Sequence, residues 1–410
     1  MTMWTITKRN FLAGTLLACL ALPGAAQAQE KIRIGMTVSS SGNFALASQS
    51  GVRGVEIWVD EINAKGGLDI KGEKRLVELV KRDDRSDKQM VARVYEDLIA
   101  NENVDLLMAP FGSTLTAAAA TVTERLDKFL VIWSAASDAL YDQGFKNIVS
   151  ATQMPVSRMP SAGLEAAAAL GNKKVAIINV DEPFPAGLAD GAEAIAEKLG
   201  MEVVLKEDYP KGTKDFSLLL QKARAAGADV FFPTSYEGDL ISMVRQMHQM
   251  NVNFPMTFMV YASTPQFIDI GDDAQYIYSH TNFHPTINWA VNAGLNREGF
   301  LEAYKRLFPN VSYEPDFQTV LAYGAAVIAG EIIQNADSLE AADLKKAAMA
   351  LSDKLTVLAG PYAIDETGKQ LKMPFPVVQL QPGKGLVTVW PKEVAVAEPI
   401  YPIPGWDKRD

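Results

Sequence analysis

The 410-residue chain has little cysteine and little histidine, and it has no excess of positive charge. Its one cysteine, Cys19, lies in an N-terminal leader, so the rest of the chain has no thiol nucleophile and no disulfide. A chain held without cross-links must rely on its core, and this one is long enough for two domains. The three histidines are His248, His280 and His284. His280 and His284 are four apart, but Pro285 follows and no acidic residue stands at ligand spacing, which argues against zinc. The net charge of −10 argues against nucleic acid and anionic membrane surfaces as partners. No serine sits in a Gly-x-Ser-x-Gly elbow, and no glycine-rich phosphate fingerprint follows the first strand. These absences argue against an enzyme and imply no cofactor. No segment beyond the leader reads as long enough to span a membrane.

What is present begins with that leader. Lys8 and Arg9 precede an apolar run from Phe11 to Leu22, then Pro23-Gly24, then Ala26-Gln27-Ala28. This is the pattern of a cleavable export signal over residues 1–28, cut after Ala28, and it places the protein in the periplasm. Thr7-Lys8-Arg9-Asn10-Phe11-Leu12 is also similar to a twin-arginine signal, with lysine in the first arginine position, so both export routes stay open. Leu16-Leu17-Ala18-Cys19 resembles a lipoprotein box, the alternative to cleavage at Ala28.

Beyond the leader, strand-like apolar runs alternate with helix-like runs, the signature of a layered α/β fold. Strand one is Ile32 to Val38. A helix from about Ser48 to Ala64 ends at Lys65-Gly66-Gly67, where glycine accepts the left-handed cap. Further strands are expected at Arg75–Arg82, Val104–Ala109 and Phe129–Trp133. A second set follows, with strands at Lys174–Asn179, Glu202–Leu205, Val230–Thr234, Met256–Val260 and Tyr276–Ser279. Residues 283–355 read as helices only, including Thr319–Gln334, too few strands for a sheet of their own. They are expected to pack back on the first domain. Gly360 to Gln381 reads as strand, turn and strand, and the proline-rich tail 391–410 as a surface segment.

Three loops at strand ends carry the candidate site: Ser39–Ala47, Phe111-Gly112-Ser113-Thr114, and Ser134-Ala135-Ala136-Ser137. Helix N-termini there offer unpaired N–H groups and a positive dipole end, and the hydroxyls add donors. That combination suits a carboxylate without lysine or arginine.

Several segments resemble the periplasmic substrate-binding proteins of branched-chain amino acid ABC transporters. They are Ile-Gly-Met-Thr-Val-Ser-Ser-Ser-Gly at 34–42, Asp-Glu-Ile-Asn-Ala-Lys-Gly-Gly at 60–67, Asp-Asp-Arg-Ser-Asp at 83–87, Lys-Gly-Thr-Lys-Asp-Phe-Ser at 211–217 and Gly-Pro-Tyr-Ala-Ile-Asp-Glu-Thr-Gly at 360–368. The resemblance implies two Rossmann-like, three-layer lobes joined by three hinge crossings, near 149–152, 279–283 and 357–360. Lobe one is then 30–150 plus 283–357, and lobe two 151–282 plus 358–390. A ligand lies between the lobes and an inner-membrane permease receives it. The protein is expected to be a monomer.

By the same resemblance, Ser113, Ala135 and Ser137 hold the ligand carboxylate, with Thr114 beside them. The family often has an aromatic residue where this chain has Ala47, and Phe44 can fill that space. Phe184 stands where tyrosine is frequent, and Tyr236 keeps the family aromatic. Amino-acid binders place an acid, partner of the ligand ammonium, at the position of Ala262. Here Tyr261-Ala262-Ser263 has none, and the nearest substitutes, Asp181, Glu237 and Asp239, do not match that place. A buried ammonium without a partner is costly, so an aromatic or other organic acid is favoured, with Trp133 and Tyr261 among the walls. Amino acids and amides are the alternative ligands, and a ligand-sensing subunit the alternative role. Arg85 is a candidate anion partner and Gln318, with Phe317, a candidate contact from lobe one. Asp316 reads as a helix cap.

Overall fold

The computed structural model describes residues 1–4, 30–285, 287 and 289–409. The leader readings, including Cys19 and the Ala28 cleavage site, lie outside the described residues.

The first lobe is built on five parallel strands in the order Val77–Asp83, Ile32–Val38, Leu106–Met108, Leu130–Ile132, Ile148–Ser150. Ile32, Ile34 and Met36 are at most 1% exposed, because helices cover both faces of the sheet. The helix Ala45–Ala64 packs on the helix Phe317–Asn335. Gly54 sets their approach: a Cβ there would lie 2.0 Å from the Thr319 carbonyl oxygen. The helix Phe317–Asn335 thus lies against the helix that follows the first strand. Phe317–Asn335 is also long and apolar enough to cross a membrane, against the expectation that no such segment follows the leader. It is 89% buried inside the protein, and its apolar surface serves the core. The helix starts two residues before the predicted Thr319, because Asp316 accepts the Thr319 N–H at 2.9 Å and caps it there.

The second lobe has four parallel strands in the order Met256–Thr257, Val230–Thr234, Lys174–Val180, Glu202–Tyr209. A bridge from Phe258 to Tyr278 joins them to an antiparallel sheet of Tyr278–His280, Val377–Gln381 and Gly385–Trp390. Sequence reading missed this register, and also the small hairpin Leu68–Ile70 with Glu73–Arg75. Both depend on pairings that short strands do not announce. The tail is tied down more firmly than a surface segment. Tyr278 Oη and Gln379 Nε2 donate to the Ile400 carbonyl, Trp406 Nε1 donates to Val252 O, and Ile403 is buried. Proline bars strand pairing there, but the carbonyls still accept side-chain donors.

The chain leaves the first sheet after Ser150, and after the strand Tyr278–His280 it runs into helices. Side-chain bonds tie these passages together. Thr152 Oγ1 donates to Leu321 O, Gln370 Nε2 to Ala151 O, and Asn282 Nδ2 to Ala359 O.

Candidate functional site

The carboxyl ends of both parallel sheets face one cleft, where α/β sheets place ligands. On the first lobe, Ser39 N donates to Ser48 Oγ at 2.9 Å, and Ser39 Oγ donates to the buried Asp84 at 2.5 Å. Ser86 Oγ accepts from Phe44 N and donates to Ser41 O. These bonds knit the first loop to the 83–87 turn and fix Phe44, which is 1% exposed. Ala47 is half-buried in the first turn of the following helix. Arg85 is not brought to the cleft. It has φ 54° and points into solvent, with Asp83 at 3.9 Å.

The second and third loops form one unit. Gly112, at φ 82°, turns the chain into the helix Ser113–Arg125. Its N–H donates to Ser134 Oγ at 2.9 Å. Ser113 Oγ accepts the N–H groups of Ala136 at 3.2 Å and Ser137 at 3.1 Å. The Ser137 N–H is thus already occupied. The donors left for an anion are the Ser113 hydroxyl proton, the Thr114 hydroxyl and the first-turn N–H groups of this 13-residue helix. Ala135 and Ser137 are buried beside them. Trp133 belongs to a deeper layer: its Nε1 donates to Ala109 O at 2.9 Å, and its ring fills the space over Gly51.

The second lobe contributes aromatic rings. The helix Pro183–Lys198 starts earlier than predicted, because proline is favoured in the first helical turn; Phe184 is therefore a buried first-turn residue rather than part of a loop. Tyr236 is the cap residue of the helix Glu237–Gln249. Tyr261 and Ala262 are buried in a turn closed by Ala262 N donating to Met259 O.

The lobes meet through rings. Phe44 and Tyr236 lie 5.1 Å apart, edge to face, and Phe184 lies 5.9 Å from Tyr236. Tyr261 lies 6.1 Å from Phe317. Lys211 reaches from lobe two over the Phe44 ring at 5.5 Å and pairs with Glu182 at 2.5 Å. A cavity of about 170 Å³ opens here, among Asn43, Val180, Glu182, Lys211 and Tyr236. A larger one, about 550 Å³, lies between the helix Ser161–Ala169 and the C-terminal segment, away from both sets of strand ends. The position of the strand ends and of the polar groups favours the cleft.

Buried polar atoms of both lobes gather in the cleft. Thr114 Oγ1, Tyr236 Oη and Glu182 Oε2 face one another without a well-formed hydrogen bond, and neither amide atom of Gln318 has a partner. Buried polar groups are nearly always bonded, so the Gln318 amide in particular has capacity for an occupant. Burial, reinforced by Glu182, pushes the Tyr236 phenol well up, so it is a permanent donor. Sequence reading gave no role to Glu182 or Lys211, which lie outside the matched cleft loops. It noted Glu237 only as an acid at an unmatched place.

The comparisons with known proteins agree with this geometry. Residues 31–385 match the family model described as periplasmic binding protein. "Leu/Ile/Val-binding protein homolog 7" of Brucella abortus (strain 2308) is 30% identical over 415 residues, covering 95% of this chain and 98% of the relative. The substrate-binding protein LivJ of Streptococcus pneumoniae, solved with isoleucine, superposes with a TM-score of 0.72 at 21% identity, over 88% of this chain and 100% of that one. A solute-binding protein from R. palustris, solved with benzoate, gives a TM-score of 0.74 at 17% identity, over 91% of this chain and 99% of that one. This chain belongs to the periplasmic binding protein family, in its Leu/Ile/Val-binding branch of two-lobed, type I solute-binding components of ABC transporters.

Proposed function

We propose that this chain captures a small carboxylate-bearing solute between its lobes, in the periplasm, and delivers it to an inner-membrane ABC permease. The observation that carries this reading is the N-terminus of the helix Ser113–Arg125 on one lobe, with the Thr114 hydroxyl facing the buried Tyr236 hydroxyl of the other. Donors without a fixed cation suit a carboxylate, which the helix end stabilises without the desolvation of a lysine or arginine. Phe44, Phe184, Tyr236, Tyr261 and Phe317 give the ligand body an apolar, aromatic surrounding. The lobes close over it, and the three passages between them act as the hinge.

A thermal-shift screen of amino acids, aromatic acids, aliphatic acids and dicarboxylates tests this. Stabilisation by one carboxylate class, without turnover, is the expected result. Stabilisation only by neutral solutes contradicts it.

A further inference from the structure

His280 ends the strand Tyr278–His280, directly before Thr281-Asn282 at the passage between the lobes. It is 1% exposed, and its Nδ1 has no hydrogen-bond partner. Three rings form a cage around it. Phe375 lies 4.6 Å away and Phe258 5.9 Å, each next to a strand of the second-lobe sheets. Phe317 lies 6.3 Å away, edge to face. It opens the helix that packs on Ala45–Ala64, so the cage is shut by a ring carried with the first lobe.

An imidazolium in this cage would meet almost no solvent and no counter-ion, and a buried unpaired charge is costly. The titratable groups on the elements packed around it have other engagements. Tyr278, on its own strand, donates to Ile400 O, and the paired strand Val377–Gln381 has no titratable residue. Glu165, on the helix Ser161–Ala169, is exposed. Asp316, before Phe317, is bonded to Ser50 and Thr319. Lys372, before Phe375, pairs with Asp353. Beyond Phe258 comes Tyr261, and the acid acting on it is Glu237, whose Oε1 accepts the Thr264 hydroxyl. Among the described residues no charged group acts on His280, and burial alone holds its imidazole down at about 3.

We infer that His280 makes closure of the clamp pH-dependent: the shut cage admits only the neutral imidazole, so protonation releases Phe317 and opens the lobes. This goes beyond the carboxylate reading and does not depend on what the cleft binds. In the open form water reaches the ring, which returns towards its ordinary value of about 6.5. The closed form holds the proton less tightly, so closure is favoured above that value and is lost as pH falls below it. From pH 8 to 4.5 the ratio of open to closed protein should rise about 100-fold.

The test uses small-angle X-ray scattering of the protein without added solute at pH 8 and 4.5, with nitrogen-15 spectra of its histidines over the same range. The expected result is a larger radius of gyration at pH 4.5, reached together with protonation of His280, while circular dichroism stays that of the folded protein. His280→Phe keeps the ring and should stay compact at pH 4.5. If it does not fold, His280→Gln, which also carries no proton in this range, takes its place. Glu237→Gln should still expand, which separates the two buried titrating groups. No expansion of the wild type, protonation of His280 without expansion, or equal expansion in the His280 variant overturns the inference.

Discussion

Phe44 of the first lobe and Tyr236 of the second meet edge to face, with ring centroids 5.1 Å apart. The Tyr236 hydroxyl is buried and faces Glu182 and Thr114 without a well-formed hydrogen bond. In the proposed function the rings serve closure and the hydroxyl serves the ligand. Tyr236→Phe separates the two. Apo stability should be unchanged or higher by up to about 1 kcal/mol, since an unsatisfied buried group is removed. Affinity for the ligand should fall about 10-fold. Thermal unfolding and calorimetry check both.

Glu237 links pH to stability. Its carboxyl is raised to about 7 in the folded apo protein, above its unfolded value, so the fold holds the proton more tightly than the unfolded chain does. Its contribution favours folding below about pH 4.5 and is lost as pH rises towards 7. Glu237→Gln keeps an acceptor for Thr264 and removes the charge. The apo variant should be more stable than the wild type at pH 8, by about 2 kcal/mol in chemical denaturation, and the two should converge near pH 4.5.

His280 has the opposite sign. It is buried among Phe258, Phe317 and Phe375 at the passage between the lobes, and burial lowers it to about 3. The unfolded chain takes up this proton as pH falls below 6.5 and the folded protein does not, so its stability contribution is present above 6.5 and falls away towards acid. His280→Phe keeps an aromatic ring and removes the titration. Going from pH 7 to 5, the wild type should lose about 2 kcal/mol more than this variant, measured by urea unfolding at each pH.

Gly54 tests the assignment of the helix Phe317–Asn335 to the first lobe. A Cβ at Gly54 would lie 2.0 Å from Thr319 O and 2.7 Å from Tyr323 N, both rigid backbone atoms. Gly54→Ala should cost at least about 2 kcal/mol, read as a lowered denaturation midpoint. Gly66→Ala should be a smaller loss, because only its φ of 89° is strained and no atom lies within reach.

The layered fold was legible because the central strands are short apolar runs and the helices between them carry apolar positions at helical spacing. Asp316 caps its helix as its position suggests. The packing of the helix Phe317–Asn335 against Ala45–Ala64 fits the expectation drawn from the lack of strands in that region. The antiparallel sheet at Tyr278–His280 was not legible, since its register depends on strands a hundred residues away. The strand–loop–helix pattern put Ser113 and Thr114 at a strand end, and they open the helix Ser113–Arg125 there. Arg85 was named from its position, but its left-handed backbone turns it outward. Glu237 could be listed but not placed. Its proximity to Tyr261 arises from two separate strand ends, and alignment to a family position looks for the acid at Ala262 instead.

The central claim, a carboxylate held between the lobes, is tested most directly by a calorimetric titration. It compares the best ligand of the screen with its methyl ester, in the wild type and in Gln318→Leu. The account predicts one site per chain, loss of at least about 100-fold in affinity for the ester, and weakened acid binding in the variant. Equal affinity for acid and ester, or acid binding untouched by Gln318→Leu, would contradict it.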